Sequence, residues 1–220
     1  LAASPLAAAI SEGNVPWQYA DARLISDDPA KGLARDKELP AIADSLLEAL
    51  GKPEKDVFIV SPYFVPSKWG MAALRDLTAN NVKVTVLTNS LRATDVAAVH
   101  SGYARYRKDL LNAGVELYEV KPDFAPPKIR DKGLTGSSAT SLHAKTFVVD
   151  GKRVFIGSLN FDPRSARLNT EMGMVIDHAE IAGDMRQELE KITPQYAYKV
   201  VMDKQRKRLR WQDPDRPDEI

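Results

Sequence analysis

Apolar positions along this chain alternate between short unbroken runs and spaced, helix-like stretches. Val57 to Val60 is wholly apolar, as in a strand buried on both faces. Val82 to Leu87 and Val115 to Val120 read as further strands. Before the first strand, Leu39, Ile42, Ala43, Leu46, Leu47 and Leu50 share one helical face, with Pro40 in the first turn and Gly51 as C-cap. Ser67 predicts the cap of a second helix carrying Met71, Leu74 and Leu77, and Thr94 the cap of a long one with Val96, Val99, Tyr103, Tyr106 and Leu110 inward, stopped by Gly114. Farther on, Thr170 to Ile176 reads as a strand. A helix runs from Ala179 to the neighbourhood of Ile192, with Ile181, Met185, Leu189 and Ile192 on one face. Alternating strands and helices predict an α/β fold: a mainly parallel mixed β-sheet flanked by helices on both faces.

The pattern divides the chain in three. Residues 1–35 read as a linker-like segment that becomes ordered near Arg23–Ser26 as an edge strand; residues 36–195 form the main lobe; residues 196–220 are a C-terminal extension with the look of a hairpin. The run Lys204, Arg206, Lys207, Arg208, Arg210 suits either anionic lipid head groups or a solvated strand edge. Residues 121–138 hold three Pro and two Gly, a long loop that reads equally as a lid and as a surface insertion.

Composition narrows the chemistry. With 220 residues the chain can build a sizeable core. Its net charge of +1 argues against a protein that lives on non-specific nucleic-acid binding, so no specific nucleic-acid partner is expected. The absence of Cys excludes disulfides, thiolate catalysis and Cys-ligated zinc. Three His without metal-ligand spacing predict no metal site, and no cofactor is expected. No apolar run approaches the roughly 20 residues of a spanning helix. The first ten residues are too short to span and lack an initiator Met and a basic leader, so the chain reads as a piece of a longer gene product.

The richest chemistry lies between Ser141 and Glu171. His143 and Lys145 sit two apart in a β-rich run, so imidazole and ammonium share a face. Asp150-Gly151 favours φ > 0 and a tight hairpin. A loop of two or four residues would bring Ser158 and Asn160 onto the face of His143 and Lys145; a loop of three would break that register. Such a face holds a ring able to attack or pass a proton, a fixed cation, a hydroxyl and an amide, which suits gripping and transferring a phosphoryl group. Asp162-Pro163 reads as an N-cap and first helical residue, whose N–H groups would point toward an anion. A Lys beside a buried His counts against a purely structural ring, because a buried ammonium needs a charge partner and a phosphate would supply it.

His143-x-Lys145-x4-Asp150, followed by Gly157-Ser158-x-Asn160 and Glu171, resembles the signature of the phospholipase D superfamily. Ser61–Pro66, the run 94–119 and Leu159–Ser165 extend the resemblance to the C-terminal half of bacterial cardiolipin synthase-type enzymes, over most of residues 20–210. The resemblance implies a phospholipase D-like lobe and a phosphatidyltransferase that forms a phosphohistidine, making cardiolipin from phosphatidylglycerol and a second phospholipid. His143, Lys145, Asn160 and Glu171 would be catalytic, with Lys145, Ser158 and Asn160 on the phosphate and Glu171 on the His143 ring. Asp150 is structural. Tyr63, at the strand end where ligands often sit, and His100 are substrate-pocket candidates. Two-lobed relatives carry one H-x-K motif in each half. This chain holds one, so it needs an N-terminal half or a second copy of itself, and His143 is either nucleophile or acid/base. The full-length protein would work at the bacterial cytoplasmic membrane. A nuclease or other phosphodiesterase completed by homodimerisation, and a non-catalytic binding domain, are the alternatives.

Overall fold

Two parallel pairings, Asp56–Val60 with Lys83–Asn89 and Lys83–Asn89 with Glu116–Val120, lie in the middle of a sheet of nine strands among the described residues. The computed structural model describes residues 5–15, 17–33, 42–122, 142–203 and 205–216. In chain order the elements are α1 (Pro5–Ser11), β1 (Asp21–Ser26), a 3-10 turn (Pro29–Leu33), α2 (Ile42–Leu50), β2 (Asp56–Val60), α3 (Ser67–Ala79), β3 (Lys83–Asn89), α4 (Ala97–Ala104), α5 (Arg107–Asn112), β4 (Glu116–Val120), β5 (Thr146–Val149), β6 (Arg153–Gly157), α6 (Pro163–Arg167), β7 (Met172–Asp177), α7 (Ala179–Tyr196), β8 (Ala197–Asp203) and β9 (Arg208–Gln212). The strand order is β1-β7-β6-β5-β2-β3-β4-β8-β9. Outside β2–β3–β4 every strand pairing among the described residues is antiparallel: β5 and β6 are joined by a tight hairpin, and residues 158–171, which carry α6, return the chain beside β6 as β7. The α/β class, the mixed sheet and the helices on both faces are as the pattern predicts; the parallel share is smaller.

Strand alternation sorts the core into two layers. Val57, Ile59, Val84, Val86, Leu117, Phe147 and Phe155 face Ile42, Leu46 and Leu50 of α2, Met71 and Leu74 of α3 and Leu110 of α5. Phe58, Val60, Val120, Val148 and Val154 face Ala182 and the half-buried Ile181, Met185 and Leu189 of α7. The segment Arg23–Ser26 lies in edge strand β1, paired to β7, and β8 and β9 pair around a turn that extends the sheet beyond β4.

Two details differ from the sequence pattern. The long helix predicted from Thr94 is broken: α4 starts after Val96, Tyr106 N–H turns to Tyr103 O at 2.8 Å, and α5 restarts at Arg107. Tyr103 and Leu110 still point into the core, but Val96 reaches the surface. The N-cap of α3 is Pro66, not Ser67, which takes φ 56 inside the first turn. The predicted start of α2 at Leu39 and Pro40 and most of loop 121–138 lie outside the described residues.

Candidate active site

The hairpin loop between β5 and β6 is Asp150–Gly151–Lys152: Val149 pairs with Arg153, and Thr146 with Ile156. It therefore holds three residues, the case that breaks the register aligning Ser158 and Asn160 with His143 and Lys145. Asp150 and Gly151 do take positive φ, 55 and 59, and Lys152 N–H closes the turn on Val149 O at 2.9 Å. The extra residue is held from outside, since the Lys152 carbonyl accepts His178 N–H at 3.0 Å. His178 is also the N-cap of α7, its Nδ1 accepting Ile181 N–H at 3.3 Å.

Asp150 is the staple of this arrangement. Its carboxylate accepts the N–H groups of Glu54, Lys55 and Asp56 at the head of β2, at 3.0, 2.7 and 3.0 Å. Burial by itself would raise its pKa, but the amides of Lys55, Asp56 and Glu54, with the Lys152 charge, outweigh that and hold it below the ordinary carboxylate value. Arg153 pairs with Asp177 at 3.1 Å rather than with Asp150. Asp150→Ala should destabilise the fold by about 2–3 kcal/mol, the scale of lost hydrogen bonds to a charged acceptor. A depressed carboxylate pKa contributes stability that is full above the unfolded value and lost as pH falls through the folded one. Denaturant melts at pH 7 and pH 3 should therefore show the Asp150→Ala deficit shrinking in acid. An equal deficit at both pH values would contradict this role.

At the far end of the same hairpin the candidate residues gather. Gly157 N–H donates to Lys145 O at 3.2 Å, and Gly157 pairs with Gly173 of β7, so Lys145, Gly157 and Gly173 lie in one row on one face. The two glycines leave that row without side chains, and the Phe155 ring lies over both. A Cβ at Gly157 would come within 2.5 Å of the ring and of Met172 O. Glu171, one step before β7, is 6% exposed, and Lys145 and Asn160 are each 8% exposed. Burial lowers the Lys145 pKa, and the charges of Glu171 and Asp95 oppose part of that. The ammonium donates to His143 O at 2.7 Å and, among the described residues, has no ion-pair partner.

His143 is exposed, and among the described residues its ring makes no hydrogen bond, to Glu171 or otherwise. Glu171 is engaged elsewhere: Ser158 Oγ donates to one carboxylate oxygen and Asn169 Nδ2 to the other, the latter at 3.2 Å. Ser158 Oγ also accepts Met172 N–H at 3.0 Å, so this hydroxyl serves the acid rather than Lys145. Asn160 donates weakly to Ser165 Oγ at 3.5 Å, and its buried Oδ1 has no partner among the described residues. Asp162 caps α6 as the sequence predicts, but its carboxylate takes the N–H groups of Arg164 and Ser165, at 2.8 and 3.2 Å. Those N–H groups are thus not open to an anion.

Sequence reasoning missed Asp27, a buried carboxylate behind the site. It accepts Glu171 N–H at 2.9 Å, Ile42 N–H at 2.8 Å and Lys31 Nζ at 2.6 Å, while its own N–H donates to Glu171 O at 2.8 Å. It ties Glu171 to β1 and to the start of α2. Asp27 carries no motif, and only the β1–β7 pairing brings it there.

The pocket candidates separate. Tyr63 stands at the end of β2 and donates to both oxygens of Asp95, at 2.8 and 2.9 Å. Burial, then the Asp95 bond and charge, with Asp162, push its pKa up to about 12. His100 is buried, and the crevice it shares with Pro62, Phe64, Thr88 and Asn89 has no room for a water molecule. Its Nδ1–H donates to Asn89 O at 3.2 Å and its Nε2 accepts Arg107 Nη2 at 2.6 Å, which fixes a neutral tautomer. Desolvation, then the Arg107 charge, lower its pKa. Arg107 Nε donates to Glu119 at 2.7 Å, and Glu119 also accepts Tyr103 OH at 3.1 Å and Trp211 Nε1 at 2.9 Å.

The basic run lies elsewhere. Arg206 and Lys207 are exposed in the β8–β9 turn. Ala197, where β8 begins, pairs with Val120 beside the candidate site, so the turn after Asp203 lies at the opposite end of the sheet. Lys204 is outside the described residues.

Residues 46–193 match the family model described as "Cardiolipin synthase, PLD-like domain". The chain is 51% identical over 180 residues to cardiolipin synthase C of Escherichia coli (strain K12), covering 81% of this chain and 38% of that protein. It therefore spans well under half the length of that curated relative. Among solved structures, Nuc from Salmonella typhimurium, a phospholipase D family member, superposes with TM-score 0.57 at 16% identity, over 82% of this chain and 98% of that one. Phosphatidylserine synthase from Haemophilus influenzae Rd KW20 superposes with TM-score 0.57 at 14% identity, over 81% of this chain and 39% of that one. At these identities the likeness is one of fold.

Proposed function

The chain belongs to the cardiolipin synthase, phospholipase D-like domain family, and we propose that it carries one half-site of a phosphatidyl-transferring phosphodiesterase. The observation behind this reading is a pair of under-used groups at one sheet end: a buried Lys145 ammonium that feels the charges of Glu171 and Asp95 but has no direct ion-pair partner, and a buried Asn160 Oδ1 with no partner, among the described residues. A buried cation without a direct ion-pair partner and an orphaned amide are both costly; a tetrahedral anion would pair with the ammonium and accept from the amide once it is turned. Lys145 would neutralise the non-bridging oxygens, and the Asn160 amide, turned to aim its NH₂ group, would donate to them. Ser158 joins through Glu171, which it holds.

His143, exposed beside this cradle, is the moving part. As nucleophile its ring nitrogen would attack phosphorus, breaking the bond to the head-group alcohol and leaving a phosphohistidine. As acid it would protonate that leaving oxygen, then take the proton from the incoming hydroxyl. Glu171 would steady the opposite ring nitrogen after exchanging its bond to Ser158 or Asn169. The second histidine comes from an N-terminal half or a second copy of the chain. The donor is a phosphatidylglycerol-like lipid, the acceptor a second phospholipid, and the full-length protein works at the bacterial cytoplasmic membrane. Among the described residues no helix is long and apolar enough to cross one. Tyr63 and Asp95 border the cradle and would meet the substrate's polar groups.

The test incubates the full-length protein with vesicles of labelled phosphatidylglycerol and, separately, with labelled single-stranded DNA. Labelled cardiolipin and free glycerol, with the DNA intact, are expected. DNA cleavage without lipid turnover would replace this reading with a nuclease. Substantial lipid turnover by a proven monomer of this chain would remove the half-site role.

A further inference from the structure

We infer that Asn89 is a positioning residue, whose side-chain amide acts as a last rung of the sheet and holds the backbone that presents His143. β3 outruns its neighbour: Val60, the last residue of β2, pairs with Leu87, and β3 continues to Asn89. On the other side of β2, β5 begins at Thr146, opposite Val60. Residues 142–145 therefore approach the sheet end without a β2 residue paired to them, although Lys145 still meets Gly157 of β6 on its other side. Asn89 reaches across the gap that β2 leaves. Its Oδ1 accepts Leu142 N–H at 3.0 Å and its Nδ2 donates to Leu142 O at 3.1 Å. One amide thus meets the N–H and the C=O of one residue, as a paired strand would. The Leu142 side chain packs against the layer containing Phe58 and Val60.

The amide is itself held firmly. Asn89 is 2% exposed, its backbone pairs with Val120, and its carbonyl accepts His100 Nδ1–H. Behind His100 stand Arg107 and Glu119, so the rung is braced by a buried chain of hydrogen bonds. His143 has no such brace of its own. Its ring is exposed and makes no hydrogen bond among the described residues, and its carbonyl accepts the Lys145 ammonium. Ring placement is then set by the backbone on either side: β5 below, and the Leu142 clamp above. A shift of about 1 Å in a reacting group can cost roughly 10²-fold in rate.

This inference rests on the reading of His143 as the reacting ring. Four variants of the full-length enzyme separate the two ideas: Asn89→Ala, Asn89→Asp, His143→Ala and Val200→Ala. The aspartate variant keeps the size and the acceptor but loses the donor, and it serves if the alanine variant fails to fold. Val200→Ala opens a cavity in β8, away from the site, as a stability control. Steady-state turnover of phosphatidylglycerol vesicles should show kcat down about 10²-fold for Asn89→Ala and reduced for Asn89→Asp, each with KM within about twofold. Val200→Ala should lower Tm and leave kcat in place. Hydrogen exchange at the Leu142 amide should quicken in both Asn89 variants. Unchanged kcat in both, with His143→Ala inactive, would overturn the positioning role alone. A kcat loss no greater than that of Val200→Ala at matched Tm would overturn it as well. An active His143→Ala would overturn both the positioning role and the catalytic reading beneath it.

Discussion

His143→Ala should lower lipid turnover by the full-length protein about 10⁴-fold or more, because on the proposed function loss of the reacting ring removes the covalent or proton-transfer route outright. Its circular dichroism and Tm stay near wild type, since the ring is exposed and makes no hydrogen bond among the described residues. Acid-labile, base-stable phosphate on histidine after a rapid quench would separate the two roles. If His143 is the nucleophile, the label disappears in this variant. If it is the acid/base, the label forms on the partner histidine and is released slowly. Retention of more than a tenth of wild-type turnover would exclude His143 from the chemistry.

Arg107→Ala is the largest expected loss of stability. Glu119 is 1% exposed and would keep Tyr103 and Trp211 but lose its counter-charge. Leaving one member of a buried ion pair alone costs about 3–5 kcal/mol. For a chain of this size that should lower Tm by about 6–20 °C. The guanidinium also lies 4.9 Å from the Tyr103 ring centroid and 5.2 Å from that of Trp211, contacts that alanine cannot replace. Arg107→Lys restores the charge but not the fork that spans Glu119 and His100, so it should recover only part of the loss.

A pH signature accompanies this. In the wild type the His100 pKa lies below its ordinary value, so its contribution to stability is present above the unfolded value and fades as pH falls through the folded one. Removing the Arg107 charge should raise the His100 pKa, read by NMR titration, and flatten that dependence. A Tm drop of less than about 3 °C would show that Glu119 finds compensation elsewhere.

How much of this was legible beforehand varies element by element. The strands at Val57–Val60 and Val115–Val120 could be read because a buried run or a period of two is written within a few residues. Asp162 could be read as a cap because Asp-Pro acts on its own next turn. From the sequence His100 reads as a substrate-pocket candidate. Its actual place, bridging Asn89 and Arg107, depends on where α4 ends and α5 restarts. The broken helix had no local mark, since nothing between Val96 and Leu110 is Pro and Gly102 lies before the break.

By itself the sequence determined which residues carry the candidate chemistry, the α/β class, and a turn with positive φ at Asp150-Gly151. These are local or compositional properties: residue type, period and backbone preference need no distant partner. Only the tertiary structure decided the three-residue loop, since Asp150 answers amides at and just before the start of β2 that lie 94 to 96 positions away. It likewise decided that Asp27 backs Glu171 and that Asn89 grips Leu142, across 144 and 53 positions. Such contacts are set by strand order and by where one strand outlasts another, and no window of neighbouring residues encodes either.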